Sequence, residues 1–374
     1  MDHKKYIKRA LELAKRGIGN VSPNPRVGAL IVKNNRILSE GYHAGFGEAH
    51  AEIDAINKLS KNDVKNAQLY INLEPCSHHG KTPPCTKSII ESGISTVIFG
   101  MKDPNPRVAG KGLRELKQAG IQIIGPVLEE ECLAMNVGFV KTILKSIPWI
   151  TVKIAQTLDS KIALENGHSK WITCETSRRL VHQWRSEHDA VLVGVQTVMQ
   201  DNPLLNVRMI DGPSPKRIVL DTNLRIPYDA NIIQNNPEKT IVITSKTADD
   251  GKKHYLADMG VYIFEAEAIQ GKIVMNSIWK KLIDHGICSV FVEGGQKVFS
   301  NFLELNMVDL LYIFTAPKFF GHGINAIHNV NKINLEQGIP FTSFNWKSTG
   351  DDMLFEGRIT CLQDWLKNSA SLSV

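Results

Sequence analysis

Gly47-Glu48-Ala49-His50-Ala51-Glu52, followed by Glu74-Pro75-Cys76 and, nine residues further on, Cys85, is the split stretch around which the front of the chain is organised. Read as ligands, His50, Cys76 and Cys85 supply one imidazole and two thiolates, a donor set suited to one tetrahedral Zn²⁺ per chain. Three protein ligands leave the fourth position for water, the arrangement of a catalytic rather than a structural site. Glu52 stands two residues after His50 and is not needed as a ligand, so its carboxylate is free to take a proton from that water and pass it to a leaving group. His78 and His79 lie in the loop between the cysteines, and either one would close the site into a structural Cys₂His₂ centre. That competing arrangement leaves Glu52 without a task.

Local pattern places these residues. Residues 68–73 alternate as a strand does, residues 85–92 followed by Gly93 read as a helix with a glycine stop, and a further helix over 51–59 opens at His50. Residues two apart do not share a helix face, so His50 and Glu52 meet one metal only if it sits off the helix end. Helix N-termini there would hold the thiolates ionised. His-x-Glu followed by Pro-Cys and a second Cys is similar to the signature of zinc-dependent base deaminases, with a longer second loop, Ser77 to Pro84.

A chain of 374 residues exceeds one ordinary core and predicts two or more domains. Its 43% hydrophobic and 22% charged residues are those of a globular protein. No apolar run reaches the ~18–20 residues of a membrane span, and the charged amino terminus does not resemble a signal peptide, so the cytoplasm is the expected compartment. Six cysteines, two of them claimed as ligands, do not suggest a disulfide framework. The net charge of +6 comes from dispersed lysines and arginines, which suits phosphorylated small molecules better than nucleic acid.

In chain order, residues 3–17 form an amphipathic helix, and Ser22-Pro23-Asn24-Pro25-Arg26-Val27-Gly28 is a rigid turn into a strand at 29–32. Asn24 within it is either a plain loop residue or a substrate contact. His43 sits among the glycines from Gly41 to Gly47, where backbone can approach a ligand. A strand at 96–100, a stiff loop from Asp103 to Arg107, a helix at 112–119, a strand at 121–124 and a last helix at 129–145 complete an alternating α/β pattern. Pro148 ends it, and the domains are drawn at 1–146, 147–367 and a loose tail at 368–374. Strands at 149–154, 190–193, 217–220, 240–243, 289–292 and 310–314 make the second domain α/β as well, several of them apolar throughout, as expected for strands covered on both faces. Two end in glycine turns, at Gly194 and at Gly294-Gly295, each a weak signal for phosphate.

Pro23 to Gly28, His50-Ala51-Glu52, the run from Glu74 to Cys85, Lys153 through Leu158-Asp159, Asp189 to Gly194 and Glu293-Gly294-Gly295 together closely resemble the bifunctional deaminase/reductases of riboflavin biosynthesis over nearly the whole chain. The long Cys-to-Cys loop is the most specific part. The resemblance implies a three-layer α/β cytidine-deaminase-like domain followed by a dihydrofolate-reductase-like α/β domain. It implies Zn²⁺ and NADPH as cofactors, and phosphorylated pyrimidines as small-molecule partners without nucleic acid or membrane. A homo-oligomer is expected. In the deaminase it makes His50, Cys76 and Cys85 the metal ligands, Glu52 the proton shuttle, and Asn24, His43 and Lys81 substrate contacts. In the reductase, Lys153, Ser169, Arg185, Leu205, Arg208 and Glu293 match substrate positions. Ala155, Trp171, Thr197, Asp201, Thr222, Gly295, Gln296 and Lys297 match cofactor positions. Arg185 and Arg208 suit a phosphate by charge and fork geometry.

Three departures fall in the reductase: Ser160 stands where the family has glycine, Gln156-Thr157 replaces a small-residue pair, and Asn202 replaces a second aspartate after Asp201. The alternatives are a deaminase of another base fused to an unrelated nucleotide-binding domain, and a zinc-stabilised nucleic-acid-binding protein.

Overall fold

The computed structural model describes residues 2–77, 83–105, 109–328, 330, 335–362 and 364–365. They divide into two compact units, one holding the residues up to Ser146 and the other Ile147–Cys361. The described residues from Leu362 on group with the first unit, whereas the sequence reading kept everything to 367 with the second. The expected loose tail at 368–374 lies outside the described residues.

The first unit carries a five-stranded sheet in the order Arg36–Tyr42, Gly28–Lys33, Gln68–Leu73, Thr96–Met101, Gln122–Ile124. Gly28–Lys33 is antiparallel to both neighbours and the last three strands are parallel. Sequence reasoning missed Arg36–Tyr42, whose first three residues are exposed and which therefore lacks a continuous apolar face. Two glycines bring helices onto this sheet. A Cβ at Gly28 would lie 2.1 Å from the Ala10 carbonyl oxygen, and one at Gly41 would lie 2.2 Å from that of Ala51. The helix Ala51–Asn57 can start against Gly41 only because no side chain intervenes, and this sets His50 and Glu52 at the sheet edge where Leu73 and Met101 end their strands.

The single helix expected over 129–145 is two, Glu129–Met135 and Val137–Lys145, broken at Asn136 with φ −119° and ψ 22°. Asn136 is 3% exposed and its amide is engaged elsewhere, with the backbone of Arg26, which explains the break.

The second unit is built on a nine-stranded sheet in the order Tyr262–Ala266, Thr240–Ser245, Lys216–Leu220, Ala190–Gly194, Ser289–Gly294, Trp149–Thr157, Leu310–Ala316, Asp352–Arg358, Ser343–Thr349. The first seven are parallel and the last two antiparallel. Its central strands are covered on both faces: Ile150, Leu192, Ile218, Ile241 and Val290 bury one side, Val191, Val219, Val242 and Phe291 the other, all with 0% exposure. The hairpin at its end was not expected, because six of the seven residues of Ser343–Thr349 are exposed and show no buried face. No described helix is long and apolar enough to cross a membrane.

Candidate active sites

In the first unit, His50, Cys76 and Cys85 converge. His50 Nδ1 lies 3.1 Å from Cys85 Sγ and 3.6 Å from Cys76 Sγ, and the three donor atoms all fall within 4.8 Å of one another. A tetrahedral zinc with bonds of about 2.1 Å to nitrogen and 2.3 Å to sulfur spaces such atoms at about 3.6 Å, so the donor set fits the metal. Two ligands stand at helix starts, His50 just before Ala51–Asn57 and Cys85 as the first residue of Cys85–Ser92, and Cys76 Sγ meets the second of these by accepting from the Cys85 backbone N–H at 3.4 Å. Hydrogen bonding from the Cys85 thiol, with further help from His50, holds the Cys76 thiol down to about 4, while that same bond and burial push Cys85 up. His78 and His79, the residues that would close the site, and Lys81 lie outside the described residues, as does Arg107 of the second stiff loop.

Glu52, in the first turn of the same helix, is 3% exposed. Burial first, and the Cys76 thiolate next, raise its carboxyl above the usual carboxylate range, which suits a group that must hold a proton as well as release one. Asn24 and His43 meet beside the metal ligand His50, whose ring centre lies 5.5 Å from that of His43. His43 Nδ1 lies 3.0 Å from the Ala49 carbonyl, which can only accept, so that nitrogen carries the proton and Nε2 accepts from the Asn24 amide at 3.1 Å. Burial chiefly lowers the His43 pKa and keeps the ring neutral. The Asn24 Oδ1 is left as an acceptor.

Two supports of this site escaped the sequence reading. Glu74, 5% exposed, accepts from four backbone amides, those of Asp103, Gly110, Gly112 and Leu113, at 2.9–3.4 Å, and so ties the segment before Cys76 to the start of the helix Lys111–Gln118. Asn72, fully buried, donates to the Arg26 carbonyl and accepts from the Gly28 N–H. The only hint of Glu74 in the sequence was its place before Pro75-Cys76; Asn72 reads as one more polar position of a strand.

In the second unit, one cleft of about 1240 Å³ is lined by every residue matched to substrate or cofactor: Lys153, Ser169, Arg185, Leu205, Arg208 and Glu293, and Ala155, Trp171, Thr197, Asp201, Thr222, Gly295, Gln296 and Lys297. The volume exceeds the several hundred Å³ of an ordinary small-molecule pocket and suits a dinucleotide with a second ligand. The two glycine turns, weak signals separately, end adjacent parallel strands and open side by side into this cleft. Ser169 Oγ donates to Asp201 at 3.0 Å, and Trp171, 63% exposed, carries the Arg178 guanidinium 4.5 Å from its ring centre.

The floor is charged. Arg185 donates from Nε and Nη2 to the two Glu293 oxygens at 2.5 and 2.9 Å, and Lys153 Nζ stands 3.8 Å from the same carboxylate. Burial alone would raise the Glu293 pKa, but Arg185 and Lys153 more than offset it and hold the carboxyl below its ordinary range. The fork of Arg185 is therefore engaged by Glu293, whereas Arg208, exposed at the cleft, donates from Nη1 to the Asn206 side-chain oxygen. His182, one turn before Arg185 and missed in the sequence, also lines the cleft. Burial first, then Arg185 and Arg208, lower its pKa to about 4, so it is neutral at physiological pH.

The departures have local explanations. Ser160 has φ +61°, the left-handed region where glycine pays no Cβ penalty, in a turn closed by its N–H to the Thr157 carbonyl. Ser160→Gly is accordingly expected to stabilise the second unit by roughly 0.5–1 kcal/mol, a rise of about 1–4 °C in its melting transition by scanning calorimetry; an unchanged or lower transition would contradict this. Thr157, fully buried, accepts from the Lys161 N–H and donates to Asp159, so the larger residue is the hub of that turn. Asn202, with φ 41°, is the left-handed cap that ends the helix Val195–Asp201.

Comparison with known proteins agrees with this geometry. Residues 1–101 match the cytidine and deoxycytidylate deaminase zinc-binding region, and residues 148–355 match the RibD C-terminal domain. The riboflavin biosynthesis protein RibD of Actinobacillus pleuropneumoniae is 40% identical over 94% of each chain, and that of Aquifex aeolicus is 40% identical over 94% of this chain and 97% of its own. Among solved structures, Acinetobacter baumannii RibD is 33% identical with a TM-score of 0.86, covering 96% of this chain and 99% of its own. The diaminohydroxyphosphoribosylaminopyrimidine deaminase/5-amino-6-(5-phosphoribosylamino)uracil reductase of Thermotoga maritima is 39% identical with a TM-score of 0.84 at the same coverage. Fold and sites thus define a two-domain enzyme, a zinc-binding deaminase joined to an NADPH-using reductase. The chain belongs to the RibD family, and its two activities serve riboflavin biosynthesis.

Proposed function

We propose that the first unit hydrolyses the 2-amino group of 2,5-diamino-6-(ribosylamino)-4(3H)-pyrimidinone 5′-phosphate, and that the second reduces the ribosyl chain of the resulting aminouracil phosphate to ribityl. The observation that carries this reading is the convergence of His50, Cys76 and Cys85 beside the buried Glu52. Those three residues hold the zinc, which when bound supplies the Lewis acidity that makes water nucleophilic at neutral pH. Glu52 takes the proton of the attacking water and returns it to the departing ammonia, a use its raised pKa supports. Asn24, with its amide held against neutral His43, offers Oδ1 to the pyrimidine, and Lys81 completes the contacts.

In the second unit NADPH supplies the hydride. Ala155, Trp171, Thr197, Asp201, Thr222 and the Gly295-Gln296-Lys297 turn hold the cofactor; Lys153, Ser169, Leu205, Arg185 and Glu293 orient the sugar, and Arg208 meets its phosphate, a reading supported by their lining one cleft together. The domains are those drawn at 1–146 and 147–367, except that the described residues from Leu362 on group with the first. The substrates are small phosphorylated pyrimidines, not nucleic acid or membrane.

Incubating purified protein with the diaminopyrimidine phosphate, with and without NADPH, should release ammonia in both cases and consume NADPH only after deamination. Turnover of cytidine in its place would overturn the reading. The chain works in the cytoplasm as a homo-oligomer, the latter supported by the exposed Phe344 and Trp346 on the edge strand Ser343–Thr349. Elution at the 41.6 kDa monomer mass, or recovery outside the cytoplasmic fraction, would contradict it.

A further inference from the structure

The zinc-binding match ends at residue 101, yet the first unit continues through three more helices, and the junction of the last two reaches back to the loop that carries Asn24. Asn136, between them, accepts from the Arg26 N–H at 2.8 Å through Oδ1 and donates to the Arg26 carbonyl at 3.1 Å through Nδ2. Asn72 donates to that same carbonyl at 3.0 Å and accepts from the Gly28 N–H at 2.8 Å. Both amides are at least 97% buried, so two side chains grip the backbone at Arg26 and Gly28 as a neighbouring strand would. Two residues upstream of this grip is Asn24, whose amide meets His43.

We propose that Asn136 is a positioning residue of the deaminase, setting the place of Asn24 and hence the affinity for the pyrimidine. The inference rests on the reading of Asn24 as a substrate contact. The helix pays for this placement with its own continuity: φ and ψ at Asn136 leave the helical region, which an alanine or leucine there would have no reason to do. Among the described residues Asn136 makes no hydrogen bond to the ligands His50, Cys76 and Cys85, so metal binding should be independent of it.

The test is a double-mutant cycle with Asn24. Asn136→Leu, of similar volume and without hydrogen-bonding groups, should raise the deaminase KM about 10-fold or more, since small misplacements of a binding group have effects of up to ~10²-fold. It should leave kcat within about 2-fold of wild type, zinc at one per chain and the reductase rate unchanged. In an Asn24→Ala background the same substitution should add nothing to KM, because the group it positions is gone. An unchanged KM, a loss confined to kcat, or an equal rise in both backgrounds would overturn the proposal; the last is what a purely structural residue would give. If Asn136→Leu is recovered without zinc or without reductase activity, Asn136→Ser replaces it in the same cycle and is judged by the same outcomes. Failure of the wild-type protein to release ammonia would instead sink the proposed function and is read separately.

Discussion

Glu52→Gln is expected to retain one zinc per chain and to lose deamination by ~10²–10⁴-fold, the usual contribution of a positioned acid-base group. The amide is nearly isosteric and keeps an acceptor, so the fold around a residue that is 3% exposed should survive. It cannot take up or release the proton. Burial and the nearby Cys76 thiolate raise the carboxyl of the native residue, so the lost property is one this site has tuned. NADPH oxidation with pre-deaminated substrate should proceed at the wild-type rate, and metal analysis on the same sample separates loss of chemistry from loss of zinc. A Glu52→Gln protein that deaminates normally would remove the residue from the mechanism.

The largest expected effect in the second unit is at the pair Arg185–Glu293. Glu293→Leu leaves Arg185 and Lys153, with side chains 11% and 15% exposed, as neighbouring cations without their carboxylate. Breaking a buried pair from one side typically costs about 3–5 kcal/mol because the partner charge stays behind. Separately, loss of a carboxylate that lines the cleft at a substrate position is expected to lower reductase kcat/KM roughly 10²-fold, equivalent to about 3 kcal/mol of transition-state stabilisation. Ammonia release should be unaffected. Calorimetry should show the second unit destabilised, and near-normal reduction and stability would mean that the triad is peripheral.

Much of this was legible in the sequence because the governing forces are local. The helix Cys85–Ser92 ends where expected because Gly93 takes φ +73°, a conformation that glycine adopts freely. Strand Gln68–Leu73 and the apolar strands of the second sheet follow from hydrophobic pattern alone. The convergence of His50 with Cys76 and Cys85 was expected from ligand chemistry, and the geometry is compatible with it.

What escaped the reading is set by distant partners. Arg185 looked like a phosphate fork until Glu293, 108 residues away, occupied it. The break at Asn136 answers to Arg26, 110 residues earlier, and no helical periodicity reports such a bond. Arg36–Tyr42 and Ser343–Thr349 lie at sheet edges with exposed side chains, where alternation fades. Ser160 could be seen as a departure, but the reason for it, a left-handed turn, is visible only in the backbone.

The measurement that tests the account most directly is to record ammonia release and NADPH consumption separately on one preparation, before and after zinc is removed by chelation and then restored. Ammonia release should vanish with the metal and return with it, while reduction of pre-deaminated substrate continues throughout. Ammonia release that persists in metal-free protein, or a reductase that fails and recovers in step with the deaminase, would contradict the assignment of His50, Cys76 and Cys85 as the centre of the first reaction alone.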